Sequence, residues 1–342
     1  MILTYKVKHN RDFTEELRKA KQVAEFAIFN KFKTSSKLVT HIGLKSMLSN
    51  QILRKYGKNK TVKAVHKVNL VVPNQGIHFE NNTISIPCLK LTLSFDKPTT
   101  KIHQVELNDT YAFVACEIPE QPTIIPRVNL GVDLNTTGHC AVMSCPETGK
   151  VFKLGKQANH IHQKYKAIRT DLQKKGKYKK VKQIKNRESR IVRDLNHKIS
   201  RFIINLAKKI KANIKLEDLK GIRKAKNRKT FRYALNSWSF YQLRQFVEYK
   251  AKLAGILVTL IAPQYTSQTC SRCGLLGERT KKVFKCANCG HVENADVNAS
   301  FNIALMDEHS RLHKDRDLCK GNSDTPKEAT VVRELTLEPT VL

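Results

Sequence analysis

The spacing of hydrophobic positions changes twice within the first third of the chain. Residues 2–8, ILTYKVK, alternate apolar and polar positions and predict a short strand. From about Asp12 to Gly57, apolar residues recur every three or four positions, which indicates helices. From about Val68 to Pro122 the period is two, in short segments separated by Asn, Pro and Asp. This order predicts a small β-barrel whose first strand is followed by a helical insertion.

A second region follows the segment EQPTIIPRV, whose composition is that of a linker. The segments NLGVDLN and HCAVMSC predict a hairpin, and NIKLE and GILVTLI predict two further strands. Helical spacing alternates with these strands, over about 156–211, 239–254 and 294–308. Strands interleaved with helices indicate an α/β layer.

Composition adds a strong bias in charge. The 342 residues are 40% hydrophobic, which is enough for about two packed domains, but 63 Lys and Arg face 29 Asp and Glu and leave a net charge of +34. The positive charges of such a protein repel one another unless a polyanion binds to it. Nucleic acid is a better candidate for that polyanion than a membrane surface. The longest apolar run, Leu253 to Ala262, is about half of the roughly 20 residues that span a bilayer. The N-terminus lacks the profile of a signal peptide. We therefore expect a cytoplasmic protein that is not secreted and has no membrane partner.

The sharpest local motif is Cys270-x₂-Cys273-x₁₂-Cys286-x₂-Cys289, in which a glycine follows each CxxC pair. Four thiolates form a closed tetrahedral shell, so the motif predicts one structural Zn²⁺ that holds no reactive water. A redox pair is the alternative, but two matched pairs at this spacing favour a zinc ribbon. The other five cysteines are scattered, and we interpret them as small buried residues.

Three acids stand where strands end or a helix begins. Asp133 lies in the apolar strand NLGVDLN and shares a face with Gly131, Glu217 ends the strand NIKLE, and Asp296 starts the helix ADVNASFNIA. Taken singly, they could serve a turn or favour a helix N-terminus. Together they offer the hard oxygen ligands that two catalytic Mg²⁺ ions need for phosphodiester cleavage.

Positive charge concentrates in two segments. Residues 156–193 hold fourteen Lys or Arg and two acids, and residues 220–232 hold seven bases and no acid. A solvated helix face is one explanation of such runs, and contact with phosphates along a nucleic acid is the other. Three aromatic residues interleaved with them, Tyr178, Phe231 and Tyr233, could stack on bases, but packing explains aromatic residues more often.

The second region resembles the nuclease half of TnpB proteins, the RNA-guided nucleases of transposable elements related to type V CRISPR effectors. The resemblance spans about residues 126–306 and rests on the runs GVDLN, KLEDLKG, WSFYQLRQFVEYKA, YTSQTCSRCG and FKCANCGHVENADVNASFNIA. It implies an α/β RNase H-like (RuvC) core with an inserted zinc ribbon (266–292). It also implies that Asp133, Glu217 and Asp296 are the catalytic carboxylates.

The family layout implies further expectations for the rest of the chain. It predicts a wedge-like barrel (1–10 and 58–122) and a helical recognition insertion (11–57). Independently of the family, the weak periodicity of residues 307–342 predicts a loosely ordered tail. The resemblance implies a Mg²⁺-dependent endodeoxyribonuclease that acts as a monomer on a guide RNA derived from the transposon end and cuts double-stranded target DNA beside a short motif. A guide-independent nuclease or transposase accessory protein remains an alternative, as does a non-catalytic zinc-ribbon regulator.

Overall fold

The computed structural model describes residues 1–135, 138–219, 240–306 and 332–335. Contacts within the chain divide it into two units, Met1–Glu120 and Gln121–Leu342. Among the described residues, none of the helices combines the length and the apolar character needed to cross a bilayer.

The first unit consists of seven strands and a helical insertion. Its strands are β1 (Ile2–Lys8), β2 (Leu70–Pro73), β3 (His78–Glu80), β4 (Thr83–Ile86), β5 (Leu91–Ser94), β6 (Lys101–Leu107) and β7 (Tyr111–Glu117). They form two antiparallel sheets with the orders β1-β7-β6-β2 and β3-β4-β5. The expected strands are therefore confirmed, whereas their closure into one barrel stays a prediction.

The helical insertion follows β1, as the change of period predicts. It comprises α1 (Thr14–Phe29), a 3₁₀ segment (Ser36–Ile42) and α2 (Ser46–Gly57). The apolar face of α1 buries Ala20, Val23, Ala24 and Ala27, and that of α2 buries Leu48, Ile52 and Leu53. Small residues on α1 and larger ones on α2 allow the two helices to pack closely.

The second unit is built on a mixed sheet of six strands in the order β12-β11-β8-β9-β10-β16. Its strands are β8 (Val128–Leu134), β9 (Ala141–Cys145), β10 (Lys150–Leu154), β11 (Ala212–Glu217), β12 (Val258–Ile261) and β16 (Val332–Leu335). β8, β11 and β12 are parallel, and β8 and β9 form the predicted hairpin. The α/β layer expected from the sequence is thus confirmed.

Helices cover both faces of this sheet. They are α3 (Gln157–Lys174), α4 (Tyr178–Ile184), α5 (Arg187–Ile210), α6 (Phe240–Leu253) and α7 (Ala295–Leu305). On one face, the apolar side chains of β8 pack in a common core with Ile199 and Ile203 of α5 and with Leu243 and Val247 of α6. Val297 and Phe301 of α7 pack instead against β9 and β10, on the opposite face.

One expectation is wrong in part. The tail 307–342 was expected to be loosely ordered, but β16 pairs in parallel with β10. Without it, β10 would present a row of unpaired backbone groups at that edge of the sheet. The remainder of the tail lies outside the described residues, as do the basic loop 220–232 and Trp238.

A small three-stranded antiparallel sheet lies between β12 and α7 in the sequence. Its strands are β13 (Glu278–Thr280), β14 (Val283–Lys285) and β15 (Val292–Asn294), in the order β13-β14-β15. The four motif cysteines flank these strands, and β15 leads directly into α7. The segment predicted as a zinc ribbon therefore ends where the helix of Asp296 begins.

Candidate active site and cysteine cluster

Asp133 and Glu217 lie on neighbouring strands at the same edge of the sheet. Leu216 of β11 pairs with Val132 of β8, and each acid is the next residue along its strand. Because parallel strands end at the same edge, the two carboxylates are neighbours by register. Both side chains are buried.

Asp296 reaches the same place from α7, and Gly131 explains how. A Cβ on Gly131 would overlap the backbone oxygen of Ser300 and the backbone nitrogen of Ala304. The glycine therefore lets the helix backbone lie directly on β8, two residues before Asp133. The sequence places Gly131 and Asp133 on one face of the strand, and the structure shows that α7 occupies that face.

The start of α7 is fixed by Asn294. Its Oδ1 accepts the backbone N–H groups of Asp296 at 3.0 Å and of Val297 at 3.4 Å. An Asn cap satisfies two of the N–H groups that a helix start leaves unpaired. The cap orients the first turn, so that the Asp296 side chain faces the sheet edge.

A chain of polar contacts joins Asp133 to Asp296. Asn135 Nδ2 donates to Asp133 Oδ2 at 2.7 Å, and Lys282 Nζ donates to Asn135 Oδ1 at 3.2 Å and to Asp296 Oδ2 at 2.6 Å. Arg279 lies 3.6 Å from the other Asp296 oxygen. Lys282 and Arg279 both belong to the β13–β14 hairpin, so the cysteine-bearing sheet supplies the cations that face the acids.

Glu217 is tied to α7 through Thr266. The Thr266 hydroxyl donates to Glu217 Oε1 at 2.5 Å, and its backbone oxygen accepts from Asn302 Nδ2 at 2.7 Å. The three acids predicted from the sequence therefore converge, one from each of β8, β11 and α7.

The pKa values of Asp133 and Glu217 are shifted because the carboxylates are buried close together. Burial, followed by the negative charges of Glu217 and Asp296, raises the pKa of Asp133 well above its usual range. Burial also raises the pKa of Glu217, and the Thr266 hydroxyl and the Arg279 charge oppose the shift. Acids crowded in a place of low polarity repel one another unless a cation lies among them.

The chemistry of the donors suits a hard divalent cation, although the carboxylate oxygens do not lie as close to one another as the four cysteine sulfurs do. Carboxylate oxygens are the ligands that Mg²⁺ prefers, and the buried Asp296 Oδ1 has no hydrogen-bond partner, with the Arg279 guanidinium 3.6 Å away. A buried carboxylate oxygen in that state is one that a cation would satisfy.

The four cysteines form the second predicted cluster. Their sulfur atoms all lie within 4.8 Å of one another, an arrangement that could hold a metal ion. The pairs Cys270–Cys289 and Cys273–Cys286 are each separated by 3.6 Å. A tetrahedron with metal–sulfur bonds of ~2.3 Å has edges of ~3.8 Å, so the thiols are spaced for one ion.

The backbone around the cysteines is preorganised. Gly274 and Gly290 have φ of 76° and 70°, and their N–H groups donate to the carbonyls of Cys270 and Cys286. Glycine adopts this left-handed conformation freely, which explains why one follows each CxxC. Burial raises the pKa of Cys273, but the backbone N–H of Leu275 and neighbouring side chains outweigh burial and lower that pKa to about 7. That thiol readily provides a thiolate, whereas burial raises the pKa of Cys270 and of Cys289, whose thiols would lose their protons on binding a cation.

Several contributing residues were missed by the sequence analysis. Lys282, Arg279 and Thr266 carry no distinguishing pattern in a chain so rich in bases. Asn298 and Asn302 did offer a signal, since two Asn at i and i+4 in an apolar helix need partners. Asn298 bonds to Thr269 and Ser271, and Asn302 bonds to Thr269 as well as Thr266, so α7 holds the base of the first CxxC.

The basic stretch 156–193 is helical, as its spacing predicts. It forms α3, α4 and the start of α5, and Ile161 and Tyr165 are buried on its apolar face. Tyr178, at the start of α4, is largely exposed. Phe231 and Tyr233 lie outside the described residues. The lysines and arginines of these helices therefore form a basic surface on the second unit.

Comparison with known proteins identifies proteins that this chain is similar to. Residues 240–303, which contain α6, β12, the cysteine cluster and most of α7, match the family model of the Cas12f1-like TNB domain. The chain is 40% identical over 183 residues to a TnpB-like protein of Methanocaldococcus jannaschii, which is 50% of this chain and 64% of that protein. It is 34% identical over 224 residues to the CRISPR-associated endodeoxyribonuclease Cas12f1 of Sulfoacidibacillus thermotolerans, which is 60% of this chain and 52% of that one.

These relatives confirm the resemblance to the TnpB family that the motifs predict. The chain matches less than two thirds of the length of either relative. Among solved structures, it is similar to a Cas12f1–sgRNA–target DNA complex, with 19% identity and a TM-score of 0.44 over 89% of this chain and 99% of that one.

Proposed function

We propose that this protein is an RNA-guided DNA endonuclease of a transposable element, with an RNase H-like (RuvC) core that cuts target DNA using two Mg²⁺ ions. The observation that carries the proposal is the meeting of Asp133, Glu217 and Asp296 at one sheet edge. Three acids from distant parts of the chain crowd together at an electrostatic cost, which has a functional rationale if cations bind among them. The names of the relatives, TnpB-like proteins and Cas12f endodeoxyribonucleases, agree with this chemistry.

In this proposal the side chains of the protein bind the metal ions and orient the carboxylates, and the ions would supply the chemistry. Asp133, Glu217 and Asp296 bind the ions, which when bound would activate the attacking water and stabilise the leaving oxygen. Thr266 orients Glu217 through its hydroxyl, and Asn135 orients Asp133 through its amide. The net positive charge draws the phosphate backbone towards an otherwise acidic pocket.

The cysteine cluster holds one structural Zn²⁺ in this proposal. Four thiolates complete a tetrahedral shell and leave no position for a reactive water. Its place before α7 gives the ion a structural task, which is to fix β15 and the Asn294 cap. The zinc would therefore position Asp296 without touching the substrate.

The domain roles follow the family layout. The first unit would act as a wedge-like domain (1–10 and 58–122) with a helical recognition insertion (11–57), and residues 126–306 would be the nuclease domain. The guide RNA would come from the transposon end and specify the target by base pairing, so the protein itself needs mainly charge and shape. We expect one copy of the chain per guide RNA.

The chemistry is tested by Asp133→Ala. We expect cleavage of target DNA to fall at least about a thousandfold, because the variant loses an ion ligand, while binding of nucleic acid changes little. Asp171→Asn, which alters an exposed acid on α3, is the matched control and should cut normally. Equal cutting by Asp133→Ala would eliminate the assigned site, whereas a parent chain that binds nucleic acid without cutting it would favour the non-catalytic zinc-ribbon regulator.

Guidance is tested by sequencing the RNA that co-purifies with the chain. One enriched RNA species should appear, and DNA matched to it should be cut in preference to unmatched DNA. If no species is enriched and bare duplex is cut efficiently, the protein is a guide-independent nuclease on the same fold.

A further inference from the structure

A long stretch of the first unit, from the end of α1 to β3, contains basic residues and no acids. Residues 26–79 contain ten Lys or Arg and no Asp or Glu. Acids interspersed with bases are the usual composition of a solvated surface. An acid-free stretch of this length therefore indicates that a polyanion binds here.

Two phenylalanines of this stretch lie on the surface. Phe29, the last residue of α1, is 89% exposed, and Phe32 is 66% exposed. Phe32 also has φ of 67°, a left-handed conformation that a bulky side chain rarely adopts. Neither burial nor backbone preference explains a phenylalanine at position 32, so its ring points to a function outside the fold.

Local contacts bring these rings next to free lysines. The Phe32 N–H donates to the Gly57 carbonyl at 3.4 Å, and Lys31 Nζ donates to the Asn59 carbonyl at 2.7 Å. The loop after α1 thus lies against the end of α2 and the residues that follow it. Together they present what we call the aromatic–lysine surface, which consists of Phe29, Phe32, Lys33, Lys58 and Lys60. All five are exposed, and its three lysines have no ion-pair partner among the described residues.

We propose that the aromatic–lysine surface binds unpaired nucleotides of a single-stranded nucleic acid. The rings of Phe29 and Phe32 stack on bases, and the lysines contact the adjoining phosphates. Charge complementarity selects this occupant, because an apolar protein partner would have to bury unpaired lysines. The inference rests on the proposed function only in taking nucleic acid as the partner. It further assigns the binding of an unpaired strand to one surface of the first unit.

The full chain is tested in magnesium-free buffer with an unstructured oligonucleotide that contains 2-aminopurine, made once as RNA and once as DNA. We expect Phe29→Ala with Phe32→Ala to weaken binding about tenfold to a hundredfold and to abolish the quenching of 2-aminopurine. The slope of log affinity against log salt should not change, because no charge is removed. A loss confined to the RNA or to the DNA probe would identify the strand.

The lysines provide the complementary measurement. Changing Lys33, Lys58 and Lys60 to Gln should reduce the salt slope by about two, since each phosphate contact on a single strand contributes ~0.7. Leu38→Ala is the matched control, because Leu38 is a 45% exposed apolar residue of the same insertion without an aromatic ring. It should leave both affinity and slope unchanged.

Phe32→Gly separates binding from folding. Glycine tolerates a φ of 67°, so this variant should unfold at the same or a higher temperature than the parent while binding the oligonucleotide more weakly. Unchanged affinity and quenching in the double alanine variant would overturn the proposal. A concentration-dependent molecular mass that falls in that variant, with binding intact, would overturn it in favour of self-association. Neither result depends on whether Asp133→Ala abolishes cutting.

Discussion

At the scale of the residue, the acids of the candidate active site are held in an unfavourable setting. Asp133 is buried beside two other carboxylates, and both effects favour its protonated form. Lys282 relieves part of the repulsion, because its ammonium group lies 2.6 Å from Asp296 and 3.2 Å from Asn135, which bonds to Asp133. Without bound ions, the repulsion among the carboxylates therefore lowers the free energy of unfolding, and the charge of Lys282 offsets part of this loss.

Asp133→Asn should stabilise the protein when no divalent ion is bound. A carboxyl whose pKa is raised on folding binds more protons in the folded state, so stability falls as pH rises from the unfolded pKa of about 3.9 through the folded value. The amide removes this dependence. The melting temperature of the variant should exceed that of the parent at pH 8 and approach it near pH 4, measured in magnesium-free buffer without chelator. A variant less stable than the parent at pH 8 would contradict the account.

Lys282→Gln should strengthen the binding of Mg²⁺ or Mn²⁺ in the absence of nucleic acid. A cation that enters the site competes with the ammonium group for the Asp296 carboxylate. Removing that competitor should lower the dissociation constant about tenfold, or ~1.4 kcal/mol, as measured by calorimetric titration. Lys281→Gln, at the exposed neighbouring position, is the control and should bind as the parent does. Weaker binding by Lys282→Gln would show that the lysine assists the ion.

At the scale of the element, α7 connects the sheet, the cysteine cluster and the acids. Gly131 lets it lie on β8, Asn294 caps it, and Lys215 Nζ donates to the Met306 carbonyl just beyond its end. Its asparagines bind the loop before the first CxxC. Several independent contacts of α7 therefore fix the position of Asp296.

Gly131→Ala should disrupt this arrangement. The added methyl group meets the backbone of α7, which cannot move aside as a flexible side chain can. We expect a loss of about 3 kcal/mol in the free energy of unfolding and weaker binding of divalent ions, measured by denaturant titration and calorimetry. Gly138→Ala adds a methyl group where no atom lies within 4 Å, and it should cost only the ~1–2 kcal/mol of a left-handed backbone. Equal effects of the two changes would refute the packing argument.

Cys286→Ser combined with Cys289→Ser should abolish the metal content of the cluster and reduce cleavage. Loss of the ion frees β15 and the cap of α7, so Asp296 is no longer held at the sheet edge. Elemental analysis should show about one zinc per chain in the parent and none in the variant. Cys145→Ser, at a buried cysteine outside the cluster, should retain the zinc. Full magnesium-dependent cutting by the zinc-free variant would refute the coupling.

At the scale of the whole molecule, charge separates into a basic exterior and an acidic pocket. The net charge of +34 includes the helices α3 to α5 and the insertion of the first unit. Under the proposed function, such a distribution would bind nucleic acid without regard to sequence and would leave specificity to base pairing.

Binding of unmatched duplex should therefore depend steeply on salt. Raising salt from about 50 to 200 mM should weaken it about 10³-fold or more if six or more phosphates are contacted. Filter binding across this range measures the slope. A slope near zero would exclude a mainly electrostatic interface.

The sequence by itself determined the order of elements and the cysteine cluster, and it predicted the three acids of the candidate site. These depend on local patterns: a period of two or of three to four, a CxxC spacing, and a charged residue at the end of an apolar strand. Tertiary structure decided what these patterns could not, because Lys282, Arg279 and Thr266 gain their roles only through contacts with residues 14 to 147 positions away. Likewise, Gly131 is a helix-docking site only because α7 folds back onto β8, and Phe32 is notable only because folding leaves it exposed at a positive φ.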